Sequence, residues 1–93
     1  MITPAQSRAA RGLVDLSQEK LAEAAHLGLS TIRGFEAGRR VPTHNNLAAI
    51  RAALESAGVE FIPENGGGAG VRLRKPGGGV TIAVENLNAS NDE

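Results

Sequence analysis

The apolar positions of the chain follow two rhythms that meet near Gly58. Before that point they recur at helical spacing, and after it they alternate as in strands. Thr3-Pro4-Ala5-Gln6 reads as a helix start. Thr3 can cap, Pro4 suits the first helical position, and Gln6 stands three residues after the cap. Ala5, Ala9 and Leu13 then supply the expected apolar stripe, and Gly12 and Asp15 mark where this helix weakens and turns. Ser17-Gln18-Glu19-Lys20 opens a second helix, with Ser17 as cap and Glu19 in the favoured first turn. Leu21, Ala22 and Ala25 form its stripe, and His26-Leu27-Gly28 breaks it.

A third helix is expected from about Leu29 to Ala37, with Gly28 or Ser30 near its cap and Gly38 as its stop. Ile32 and Phe35 stand three apart and face one way. Arg39-Arg40-Val41-Pro42 is a basic connector. Thr43 then caps a fourth helix, in which Leu47, Ile50, Leu54 and Ala57 hold an apolar stripe. Gly58 ends it. Beyond, Val59 and Phe61, Val71 and Leu73, and Val80, Ile82 and Val84 alternate as strand residues. Gly-rich runs separate them, and they read as turns because glycine supplies positive φ. Neither run fits a phosphate-binding loop or a dinucleotide fingerprint. From Glu85 the chain is polar and is expected to be disordered.

Charge sharpens this picture. The net formal charge is zero, which argues against coating nucleic acid non-specifically. Yet residues 1–58 carry seven bases (Arg8, Arg11, Lys20, Arg33, Arg39, Arg40, Arg51) against five acids, while the last eighteen residues carry only Glu85, Asp92 and Glu93. A mildly basic front thus precedes an acidic tail. With no Cys, disulfides and Cys-based zinc sites are excluded. His26 and His44 have no metal-ligand spacing, so no metal is expected. No cofactor motif, nucleophile–base set or acid pair appears, so an enzyme is not expected. No apolar run approaches the roughly 20 residues that span a bilayer, and no secretion signal is evident. A cytoplasmic protein without a membrane partner is the default.

The informative segment is Leu16 to Thr43, LSQEKLAEAAHLGLSTIRGFEAGRRVPT. Two short helices joined by a turn of three to four residues are the arrangement that sets one helix in a major groove. Small Ala22 allows a close crossing, and Leu27 and Ile32 can plug the angle. The segment resembles the lambda-repressor-like family, also called Cro/cI or XRE helix-turn-helix. The resemblance rests on Leu16-Ser17-Gln18-Glu19, Leu21-Ala22, Ser30-Thr31-Ile32, Phe35-Glu36 and Gly38-Arg39-Arg40-Val41-Pro42, all in order without a gap. With the flanking helices it covers residues 3–57. One position departs: His26 stands where the family usually has a turn glycine, so a left-handed residue is expected there.

The resemblance implies a mainly α fold. A four- to five-helix lambda-repressor-like DNA-binding domain would occupy residues 1–58. Outside the resemblance, the alternating residues after Gly58 are expected to form a short C-terminal β-hairpin or set of β-strands over 59–84, used for dimerisation because exposed strand edges invite pairing with another copy. A disordered acidic tail would fill 85–93. The resemblance also implies an Arg11–Glu36 ion pair locking the first helix to the third. DNA contacts are expected from Gln18 at a helix start, from Leu29, Ser30, Arg33 and Gly34 on the outward face of the reading helix, and from Thr31, which either bonds phosphate or caps. Arg39 and Arg40 flank the helix end, and Thr43, Asn45 and Asn46 open the next helix. Gly34 has no side chain and can only permit close approach. This reading face is sparse, so specificity calls for phosphate positioning, DNA shape and a second copy. The expected function is a sequence-specific transcriptional regulator, a repressor binding a palindromic double-stranded DNA operator as a homodimer. The alternative is the antitoxin of a toxin–antitoxin pair, with the tail gripping a toxin.

Overall fold

The computed structural model describes residues 1–74. Four helices come first: α1 (Pro4–Val14), α2 (Gln18–Ala25), α3 (Leu29–Glu36) and α4 (His44–Ser56). Two strands, β1 (Val59–Ile62) and β2 (Gly70–Leu73), follow. The fold is mainly helical, with a short antiparallel hairpin after the helices, as expected. The proposed strand over 80–84 and the acidic tail over 85–93 lie outside the described residues.

Local chemistry explains the boundaries. Thr3 forms a full capping box with Gln6: Thr3 Oγ1 accepts from the Gln6 N–H at 3.1 Å, and Gln6 Oε1 accepts from the Thr3 N–H at 2.9 Å. Ser17 and Thr43 cap α2 and α4 with their hydroxyls. Gly28 begins α3 without a side-chain cap. The first three helices end in left-handed residues, at Asp15 (φ 54), His26 (φ 58) and Gly38 (φ 76). At each end an N–H reaches back to a carbonyl five residues earlier, as in Leu16 to Arg11, Leu27 to Ala22 and Arg39 to Gly34. His26 thus adopts the conformation expected of it.

The core gathers Ile2, Ala10, Leu21, Ala22, Ala25, Ile32, Phe35, Leu47, Ile50, Leu54, Val59 and Phe61. Leu21, Ile32, Ile50, Leu54 and Val59 are almost wholly enclosed. Leu16 and Leu27 pack half-buried against this cluster, to which Ile32 belongs. The hairpin belongs to the same core, because Val59 and Phe61 turn inward while β2 packs on α1 and β1 on α4.

Two stripes differ from expectation. Ala57 is exposed, so the buried face of α4 is Leu47, Ile50 and Leu54 alone. In α1, Ala5, Ala9 and Leu13 are exposed, and the buried residues are Gln6, Ser7 and Ala10. The cause is chemical. α1 packs against α3 and β2, which offer it a carboxylate and a carbonyl, so polar residues occupy its inner face.

The strands pair Val59 with Leu73, Glu60 with Arg72, Phe61 with Val71 and Ile62 with Gly70. On the outer face Arg72 bonds Glu60 at 3.1 and 3.2 Å. The Gly-rich run of residues 65–70 makes the turn, where Glu64 Oε2 accepts from the N–H groups of Gly66 (3.2 Å) and Gly68 (3.1 Å).

Candidate nucleic-acid interface

α2 and α3 are each eight residues long and are joined by His26, Leu27 and Gly28. The left-handed His26 reverses the chain, and Ile32 and Phe35 press the inner face of α3 into the core. α3 is therefore divided lengthwise. Ile32, Phe35 and Glu36 are buried, whereas Ser30 and Arg33 are exposed and Leu29 and Thr31 are half-buried.

Glu36 locks this arrangement. Its side chain is only 2% exposed. Arg11 clasps it from α1, with Nε at 2.9 Å from Oε2 and Nη2 at 2.7 Å from Oε1. Ser7 Oγ donates to Oε2 at 2.6 Å and Gln18 Nε2 to Oε1 at 3.0 Å. Arg11 Nη1 also donates to the Leu16 carbonyl at 3.0 Å, and Arg8 donates to the Glu36 carbonyl at the end of α3. One carboxylate thus ties α1, the α1–α2 turn, α2 and α3 together. Burial alone pushes the Glu36 carboxyl up, but the hydrogen bonds from Arg11, Ser7 and Gln18, with the Arg11 charge, outweigh it. The carboxyl is held below the usual glutamate range. Hydrogen bonding to Glu36 raises Arg11 in turn, against its own desolvation. The expected Arg11–Glu36 pair is present, and it is bidentate.

Sequence reasoning missed Ser7, Arg8 and the inner role of Gln6. A signal existed for Ser7: it stands four residues before Arg11 and so shares its face. Gln6 does more than close the capping box, because its Nε2 donates to the Gly70 carbonyl in β2 at 3.0 Å.

The other expected contact residues sit as follows. Gln18 starts α2 half-buried; one amide hydrogen is used on Glu36, and among the described residues the other and the carbonyl oxygen are uncommitted. Arg39 and Arg40 are exposed in the turn after α3. Thr43 spends its hydroxyl oxygen on the Asn46 N–H at 3.2 Å as the α4 cap, keeping its hydroxyl proton to donate. Asn45 is exposed and Asn46 half-buried in the first turn of α4. Gly34 differs from expectation. It is buried, because the side chain of Arg40 lies across it.

Two short helices crossing through a three-residue turn, the second presenting one polar face outward, define a helix-turn-helix protein. The chain belongs to the helix-turn-helix family of XRE, Cro/cI-like type, whose model matches residues 8–61. It is a DNA-binding transcription regulator. A search of curated proteins gives no match. Among the described residues, no helix is long and apolar enough to cross a membrane.

Proposed function

We propose that this protein is a sequence-specific repressor that binds a palindromic operator as a homodimer, laying α3 in the major groove of each half-site. The observation that carries the proposal is the lengthwise division of α3, with Ser30 and Arg33 facing out from a helix whose other side is clamped through Glu36. Arg33 would bond a guanine edge, Ser30 a base edge, and Leu29 a thymine methyl. Gln18, Thr31, Arg39, Arg40, Thr43, Asn45 and Asn46 would hold phosphates along both flanks. Repression follows from occupying the site, since no activating surface suggests itself.

Pairing of two copies is supported by the hairpin. A two-stranded sheet has free edges, and Leu73 is 54% exposed although it pairs with fully enclosed Val59. A dimer would cover Leu73 and set two α3 helices about 34–36 Å apart, one turn of DNA.

Selection of binding sites from a random DNA pool tests this reading. A two-fold symmetric motif is expected. Arg33→Ala should relax preference at one base pair per half-site, costing about 1–3 kcal/mol if the contact is bidentate. Arg39→Ala should weaken every sequence alike and flatten the salt dependence. Equal loss on all sequences from Arg33→Ala would sink its base-reading role. For the dimer, removing the hairpin would strip Val59 and Phe61 from the core, so Leu73→Asp is the cleaner variant. Light scattering should show a dimer that Leu73→Asp dissociates; a monomeric parent protein rules the assembly out.

A further inference from the structure

Gly34 sits in the second turn of the reading helix, yet its surface is not bare. A Cβ placed on it would lie 3.2 Å from Arg40 Cβ, 3.6 Å from Cδ and 3.5 Å from Nε. The stem of Arg40 therefore lies on the bare backbone of Gly34 along its length. The main chain is tied to the same residue, because the Gly34 carbonyl accepts from the N–H groups of Arg39 (2.9 Å) and Arg40 (3.2 Å). Gly34 is not in the left-handed region, so no backbone demand explains the glycine. A side chain there would press on Arg40, whose Cβ would have to give by a few tenths of an ångström. Beyond this seat Arg40 is exposed, and its guanidinium takes part in no ion pair among the described residues.

We propose that Gly34 is a positioning residue: by leaving α3 bare it seats the Arg40 side chain across the helix, so that the loop residue presents its guanidinium to a DNA backbone phosphate from a fixed place. The proposal rests on the DNA-binding reading above. A phosphate suits the position better than a base edge. The N-terminal residues of a reading helix enter the groove, and Gly34 lies toward the other end, nearer the groove wall. A free arginine loses rotamer freedom when it is captured by a ligand; one already packed loses less. Gly34 gives up the chance to contact DNA itself and lends that place to a cation from the next loop.

The test uses the whole chain and a mixed-sequence DNA duplex at low salt, since a phosphate contact is blind to sequence. Gly34→Ala keeps the fold, because alanine is the better helix former. It should weaken binding about two- to tenfold by unseating Arg40, the range for one side chain ordered on binding. Arg40→Ala should weaken binding and reduce the slope of log affinity against log salt by about 0.9, one phosphate. The double variant should bind no worse than Arg40→Ala alone. In the free protein, the Arg40 Nε–Hε group should be ordered by NMR relaxation and become mobile in Gly34→Ala. Binding by Gly34→Ala equal to the parent's overturns the proposal and leaves the DNA-binding reading standing. So do additive losses, or an Arg40 equally mobile in both proteins. A parent protein without affinity for the duplex overturns both together.

Discussion

Replacing Glu36 by glutamine is the sharpest probe of how this domain holds its shape. The substitution keeps size and removes charge. Five hydrogen bonds now converge on the carboxylate, three from Arg11 and one each from Ser7 and Gln18. An amide offers one oxygen and turns an NH2 toward groups that are themselves donors. Breaking a buried pair by removing one partner costs about 3–5 kcal/mol, and the lower end applies because Arg11 keeps some contact with water. A domain of this size has about 5–10 kcal/mol in total, so the variant should lose roughly 30–60% of it. At 4–8 °C per kcal/mol, melting should fall by about 12–24 °C at neutral pH. Far-UV circular dichroism is the assay, since the chain has no Trp or Tyr to report by fluorescence. The sign with pH follows from the depressed carboxyl. Its contribution is complete above the unfolded value, about 4.3, and is lost as pH falls through the lower folded value. The gap between parent and variant should therefore close in acid. A shift under about 4 °C, or a gap that stays constant into acid, refutes the clamp.

Other outcomes follow from single residues. His26→Gly should stabilise the domain by about 0.5–1 kcal/mol, relieving a left-handed side chain at some cost in unfolded-chain entropy, and a higher urea midpoint would show it. Gln6→Ala should cost about 1–2 kcal/mol and speed amide exchange in β2, because it removes both half of the capping box and the bond to Gly70. Unchanged exchange in β2 would mean that the hairpin is held by its apolar face alone.

The helix boundaries and the helix-turn-helix were legible because they rest on local chemistry. Thr3, Ser17 and Thr43 are caps by residue type, and Leu21, Ile32, Ile50 and Leu54 are core by spacing. What escaped was nonlocal polar chemistry. Reading α1 by apolar periodicity selected Ala5, Ala9 and Leu13, the face that turned out to be exposed. Its true inner face is set by Glu36 and Gly70, partners far along the chain. The same limit applies to Gly34. A glycine on a reading helix is compatible with open space, and only the path of the following loop fills that space with Arg40. The Arg11–Glu36 pair came from family likeness; spacing by itself does not join residues on different helices.

The bond from Gln6 to Gly70 joins residues 64 positions apart. During synthesis α1 is made first, yet its inner face has no complete set of partners until Glu36, and later β2, have been added. Closing so long a loop is slow relative to forming a helix. α1, whose residues clamp α3 through Glu36, thus waits on a partner made after it, the Gly70 carbonyl. An interrupted product ending after α3 would lack Leu47, Ile50, Leu54, Val59 and Phe61, five of the twelve core residues. Such a fragment would lack the core that holds α2 and α3 in their crossing, and the fold is complete only in the chain that reaches β2.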